Sequence, residues 1–125
     1  MIEIQAFIQA VLQQNREHLQ EFFCEDAYVN WHGTNERFTA EEYIRANCEY
    51  PGTWDGEIES IDRMGELIFV VTRVFPMDRS SSFHCVSRIC CKEDKICSLD
   101  EWWADDGVAP RWRREMNIGV PIRKE

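Results

Sequence analysis

His84 is a side chain whose charge changes near neutral pH without help from its surroundings. The spacing around it points to a partner. Residues 82–92 and 95–103 read as two strands of a hairpin about Glu93-Asp94. If those two residues are the whole turn, His84 stands opposite Trp103 and Val86 opposite Glu101. His84, Glu101 and Trp103 then share one face, with His84 diagonal to the Glu101 carboxylate. Neither Glu nor Asp favours the positive φ of a two-residue turn, which argues for a looser connection. A one-residue bulge swaps that face for the one carrying Phe83, Cys85, Ser87, Ile89 and Cys91. Alternatively, His84 is half-exposed and stacked on Trp103, and Glu101 is solvated in the acidic run Asp100, Glu101, Asp105, Asp106.

Other residues have binding chemistry. Tyr28, Asn30 and His32 alternate onto one face of a short strand, with Val29 and Trp31 on the other. Trp31, Trp54 and Trp103 are large amphipathic rings that can wall a site for a flat or apolar ligand, or simply fill a core. Arg73 stands in the apolar strand beginning at Leu67, where it either pairs with an acid such as Glu101 or holds an anionic ligand group. The six cysteines include no Cys-x-x-Cys pair, and no histidine completes a zinc set, so neither metal nor cofactor is expected. Cys90 facing Cys97 across the hairpin is the pairing that merits a test; otherwise the thiols pack as small apolar groups.

The elements that position these residues follow from periodicity. Ile4, Phe7, Ile8, Val11, Leu12, Leu19, Phe22 and Phe23 recur at helical spacing, broken at Asn15, a good N-cap, which predicts two short helices. A strand is expected over 27–32 and a turn at 33–35. Thr39 and Glu42 form a capping box, and Tyr50-Pro51-Gly52 ends the helix that it starts. Strands then follow over 54–63, 67–75, 82–92 and 95–103, the second apolar enough to be buried on both faces. The order ααβαββββ predicts an α+β domain with helices on an antiparallel sheet.

A chain of 125 residues with 15 aromatic side chains is one globular domain. Its longest strongly apolar run, Leu67 to Val71, is too short to span a membrane, and its N-terminus has no secretory pattern. The net charge of −9 disfavours nucleic acid and anionic lipid as partners, and the cytoplasm is the default location. Charge is uneven: residues 111–125 carry +3 against −12 in residues 1–110. Residues 106–125 read as a basic C-terminal arm on a domain of residues 1–105. The arm's Trp112, Ile118, Val120 and Ile122 give it reason to pack on that domain or on a second copy.

The segments Glu21-Phe22-Phe23-Cys24-Glu25-Asp26-Ala27 and Lys95-Ile96-Cys97-Ser98-Leu99-Asp100-Glu101-Trp102-Trp103, with the element order, resemble the nuclear-transport-factor-2-like superfamily, and within it SnoaL-like proteins. The resemblance implies a cone-shaped α+β barrel: three helices against a strongly curved sheet enclosing a cavity, usually as a homodimer. Superfamily members include polyketide cyclases, ketosteroid isomerases, epoxide hydrolases, dehydratases and non-enzymatic binding modules, so fold does not decide function. In the cyclases and epoxide hydrolases a carboxylate lies five residues beyond a Gly-Lys-Ile-like turn. Asp94-Lys95-Ile96 resembles that turn and puts Glu101 at the carboxylate position. Among aromatic rings such a group becomes a better proton shuttle near neutral pH. Tyr28-x-Asn30 is similar to a water-positioning pair of the epoxide hydrolases, but the Arg-x-Asp that those enzymes also use has no match in Leu67 to Val71.

Two functions fit these residues. One is a cofactor-free isomerase, cyclase or dehydratase acting on a small apolar substrate, with Glu101 and His84 as proton carriers and Tyr28, Asn30, His32, Trp54, Arg73 and Trp103 around the ligand. The other is a non-catalytic ligand-binding or dimerisation module of the same fold.

Overall fold

Apolar residues three and four apart build the first helix, α1 (Ile4–Leu12), which buries Ile4, Phe7, Ile8, Ala10 and Leu12. Each Ile, Leu or Phe so buried contributes roughly 1.5–3 kcal/mol before ordering costs. Asn15 ends the bend and starts α2 (Arg16–Gln20), its side chain accepting the His18 N–H at 3.1 Å. Strand β1 (Phe23–Trp31) leads to β2 (Glu36–Thr39), whose mostly exposed residues carry no apolar alternation and so gave no strand signal. The capping box opens α3 (Ala40–Cys48) with both reciprocal bonds made: Glu42 N–H to Thr39 Oγ1 at 3.1 Å, and Thr39 N–H to Glu42 Oε1 at 2.9 Å.

Four long strands follow: β3 (Trp54–Met64), β4 (Leu67–Pro76), β5 (Phe83–Lys92) and β6 (Lys95–Asp105). A short helix, α4 (Arg111–Arg114), lies in the arm. The computed structural model describes residues 2–123. Its six strands form one sheet in the order β2-β1-β6-β5-β4-β3, with β1 parallel to β6 and every other pair antiparallel. The sheet is open, with β2 and β3 at its edges, so the expected barrel is not closed. Strand β4 is not buried on both faces either. Its Ile68, Val70, Thr72 and Val74 are buried against the helices, while the alternate residues Leu67, Phe69, Val71 and Arg73 are half-buried. The core lies between the helices and this inner face, joining Phe7, Leu19, Tyr43 and Ile44 to Val29, Val70, Ile89 and Leu99.

Two local features decide what faces inward. Glu93 and Asp94 both take positive φ, +53° and +64°, with Lys92 paired to Lys95. The turn is therefore only two residues long, not looser: strand pairing on both sides overrides the preference of the turn residues. Three residues into β6 the register shifts, because Cys91 pairs with Ile96 but Cys90 pairs with Ser98. Cys97 is the extra residue of a β-bulge. Beyond it Glu101 lies opposite Ser87, Trp103 opposite Cys85, and His84 opposite Ala104. Cys90 thus faces Ser98 rather than Cys97, and all six thiols are free.

At the other end of the sheet, a Cβ on Gly56 would lie 2.5 Å from the Arg73 carbonyl oxygen and 3.2 Å from Leu12. Only glycine lets β3 lie this close to the Arg73 carbonyl of β4 while the tip of Leu12 packs beside it.

Candidate functional site

Where the ends of α1 and α3 meet the sheet, a pocket of about 280 Å³ opens, walled by the rings of Trp31, Tyr50, Trp54, Phe83 and Trp103. Gln14 holds the two helix ends together by donating to the carbonyls of Asn47 at 2.9 Å and Tyr50 at 2.8 Å. Asn47 returns the link through Val11 O at 3.0 Å. On the wall, Tyr50 packs edge-on to Trp54 at 5.5 Å between ring centres, and Trp54 lies 5.9 Å from Phe83. Asp105, exposed at the end of β6, is the acidic residue of the lining. Of the residues expected around a ligand, Trp54 and Trp103 line this pocket, as does Trp31.

Glu101 sits behind that wall rather than in it. It is only 5% exposed. Its Oε1 accepts the Trp31 indole N–H at 3.1 Å, and its Oε2 accepts the Ser87 hydroxyl at 2.8 Å and the Cys85 thiol at 3.6 Å. Burial raises its pKa above the ordinary glutamate value, and hydrogen bonds from Ser87, Trp31 and Cys85, with Trp103 alongside, pull it only part of the way back. Tyr43, fully buried nearby, is also raised, by burial first and then by the negative charge of Glu101. The site thus has a carboxyl biased toward its neutral form and bonded directly to one of the pocket's rings.

The other expected residues lie on the outer face. The Cys97 bulge removes His84 from the face of Glu101 and Trp103, so the two proton carriers stand on opposite sides of one sheet. His84 instead joins two acids: its Nε2 lies 3.0 Å from Glu59 Oε1 and its Nδ1 2.5 Å from Asp106 Oδ1. The Asp106 bond raises its pKa; burial acts against this, and Glu59 adds to it. Arg73, across from His84, has Glu57 at 3.6 Å as its acid, not Glu101. Asn30 and His32 converge on Asp100 Oδ1, each at 2.8 Å, and His32 stacks on Trp102 with 4.4 Å between ring centres. The stacked histidine–tryptophan pair expected at His84 and Trp103 is therefore found at His32 and Trp102. Tyr28 lies under the Arg37 guanidinium at 4.3 Å. Among the described residues no group of three or more His, Cys, Asp or Glu is arranged to hold a metal ion.

No family model matches the chain, and no curated protein matches it. Solved structures do. A Kribbella flavida protein named provisionally as a ketosteroid isomerase superposes with a TM-score of 0.79 at 19% identity, over 94% of this chain and 87% of that one. A Burkholderia xenovorans NTF-2 like protein of unknown function gives 0.77 at 18% identity, over 94% and 92%. A Catenulispora acidiphila protein with a ketosteroid isomerase-like fold, solved with trimethylamine, gives 0.70 at 13% identity, over 81% and 84%. The chain has the nuclear-transport-factor-2-like fold. At these identities the likeness fixes the architecture and leaves the chemistry to the residues.

Within this fold, sequence reasoning missed Gln14, Asn47, Tyr50, Phe83 and Asp105 of the pocket. Gln14 and Asn47 carry the one local clue, since each lies at or just beyond the end of a predicted helix. Their meeting is a tertiary fact that periodicity does not encode. Among the described residues no helix is long and apolar enough to cross a membrane.

Proposed function

We propose that this chain is a small-molecule-binding protein whose site is the aromatic pocket between the helix ends and the sheet, and that it works without a catalytic acid–base pair. The observation that carries the reading is the separation of His84 from Glu101 by the sheet itself, beside a pocket whose walls are mainly aromatic. Glu101 then serves the site by fixing the Trp31 ring from behind. Trp54 and Trp103 remain ligand residues, joined by Trp31, Tyr50 and Phe83. The pocket's size, at the low end of ligand sites, supports a small guest.

A second reading has one observation in its favour. The raised pKa of Glu101 suits a cofactor-free isomerase, cyclase or dehydratase in which Glu101 alone carries the proton and the Trp31 or Trp103 ring swings aside to admit substrate.

The same proposal includes a homodimer formed through the outer sheet face, where Val86 and Trp102 are exposed, with the arm seated on the second copy. The arm's Val120 and Ile122 are 87% and 93% exposed on the single chain, so their burial needs that copy. A cytoplasmic location is the companion inference, supported by six free thiols. Native mass spectrometry of gently purified protein tests the site. The expected result is a small adduct that Val11→Trp, filling the pocket from α1, eliminates at an unchanged melting temperature. An adduct retained by that variant overturns the assignment. Light scattering of the full chain tests the dimer, and a monomer mass contradicts it.

A further inference from the structure

The pocket's wall is rich in electrons and poor in donors. Trp31 turns its indole N–H away to Glu101 at 3.1 Å, and Trp54 turns its own to Pro51 O at 3.0 Å. The amide of Gln14 is spent on two backbone carbonyls and that of Asn47 on a third, while the Thr34 hydroxyl donates to Glu36 at 2.6 Å. The positive edges of these groups are therefore engaged by acceptors of the protein itself. What is left toward the space is aromatic surface, the aliphatic side chains of Val11, Leu12 and Val74, the Tyr50 hydroxyl and Asp105, and no Lys, Arg or His lines it.

An anionic guest finds no positive charge there and, beyond the Tyr50 hydroxyl, little to donate to it. A neutral polar guest that needs donors fares little better. A cation is attracted by the negative faces of the rings, tryptophan most strongly, and by the carboxylate. A primary ammonium needs several acceptors to replace its water, which a mainly aromatic wall does not supply. An alkylated ammonium carries its charge on methyl groups and asks for contact area instead.

We propose that the guest of this pocket is a small organic cation with a tertiary or quaternary ammonium head, held by the rings of Trp31, Trp54, Phe83 and Trp103 and balanced by Asp105. This rests on the reading that the pocket is the ligand site, and it adds the charge and chemical class of the ligand. The net charge of −12 over residues 1–110 favours arrival of such a guest at low salt.

The test is calorimetric titration of the full chain with three probes. Choline carries the quaternary head, 3,3-dimethyl-1-butanol has the same shape without the charge, and benzyl alcohol probes the aromatic pocket without charge. Choline is expected to bind about tenfold or more tighter than its neutral twin. Asp105→Asn is expected to weaken choline by severalfold and the alcohol by less, and Val11→Trp to remove all binding. Equal affinities for choline and the neutral twin, or tighter binding of the twin, overturn the cationic guest and leave the pocket assignment standing. Binding of benzyl alcohol without choline does the same. Choline binding that survives Val11→Trp places the cation elsewhere on the acidic surface and overturns the proposal. Failure of all three probes overturns the pocket assignment itself.

Discussion

Replacing Glu101 by glutamine keeps the shape of the side chain and removes its charge, and the structure sets the size of the effect. The amide oxygen can still accept from Trp31, and the amide N–H₂ can donate to the Ser87 oxygen, whose hydroxyl rotates freely. The long Cys85 contact is lost. At low pH, where the native carboxyl is protonated and uncharged, the two proteins should melt together. The native pKa is raised by burial, so the wild type is favoured in its protonated form. Its stability from this group is full below the unfolded value of about 4.3 and is lost as pH rises to the folded value. Glutamine has no such loss. The Glu101→Gln variant should therefore overtake the wild type above about pH 4.3, at up to roughly 1.4 kcal/mol per pH unit until the folded pKa is passed, then hold a constant lead. For a domain of this size each kcal/mol is about 4 °C in melting temperature. Thermal melts of both proteins from pH 4 to 9 test this, with Glu101→Ala as contrast. Alanine strands the buried Trp31 and Ser87 donors, at about 1–3 kcal/mol each, and should destabilise at every pH. A gap between the Glu101→Gln variant and wild type that does not change with pH would refute the reasoning.

Three further outcomes follow from the same geometry. Gly56→Ala places a methyl 2.5 Å from the Arg73 carbonyl oxygen and should cost about 1–3 kcal/mol; an unchanged melting temperature would show that β3 is not held this close to that backbone oxygen of β4. Glu93→Asn together with Asp94→Gly suits the two positive-φ positions of the hairpin turn and should stabilise by about 1 kcal/mol, whereas a loss on denaturant titration would count against the two-residue turn. His84→Gln should destabilise most at low pH, because a histidine with a raised folded pKa contributes fully below about pH 6.5 and loses that contribution as pH rises through the folded value. A gap that widens between pH 6 and 9 contradicts the assignment of Glu59 and Asp106 as its partners.

Features with local physical causes were legible in the chain. Thr39 and Glu42 satisfy each other's backbone within one turn of helix, and Asn15 caps α2 on its own, so both helix starts could be read from neighbouring residues alone. The alternation of Val29 and Trp31 against Tyr28, Asn30 and His32 was equally plain. Which set faces the helices was not, because both carry aromatic rings, and the choice is made by pairing with β6, seventy residues away. The Cys97 bulge is the decisive hidden feature. Cysteine is small enough for either face and leaves no mark in the hydrophobic pattern, yet one inserted residue separates His84 from Glu101. Strand β2 escaped notice for a different reason: its mostly exposed side chains show no pattern, and its pairing to β1 supplies the structure.

The five tryptophans give the most direct test of the site itself. In a ¹H–¹⁵N spectrum each indole N–H is a separate reporter, and benzyl alcohol at millimolar concentration is a neutral probe small enough to enter. Trp31, Trp54 and Trp103 line the pocket, whereas Trp102 lies on the outer face and Trp112 on the arm, both exposed. Titration is predicted to shift the indole signals of Trp31, Trp54 and Trp103 with one common affinity and to leave those of Trp102 and Trp112 in place. Shifts confined to Trp102 or Trp112, or no shift in any of the five, would contradict the assignment of the pocket as the binding site.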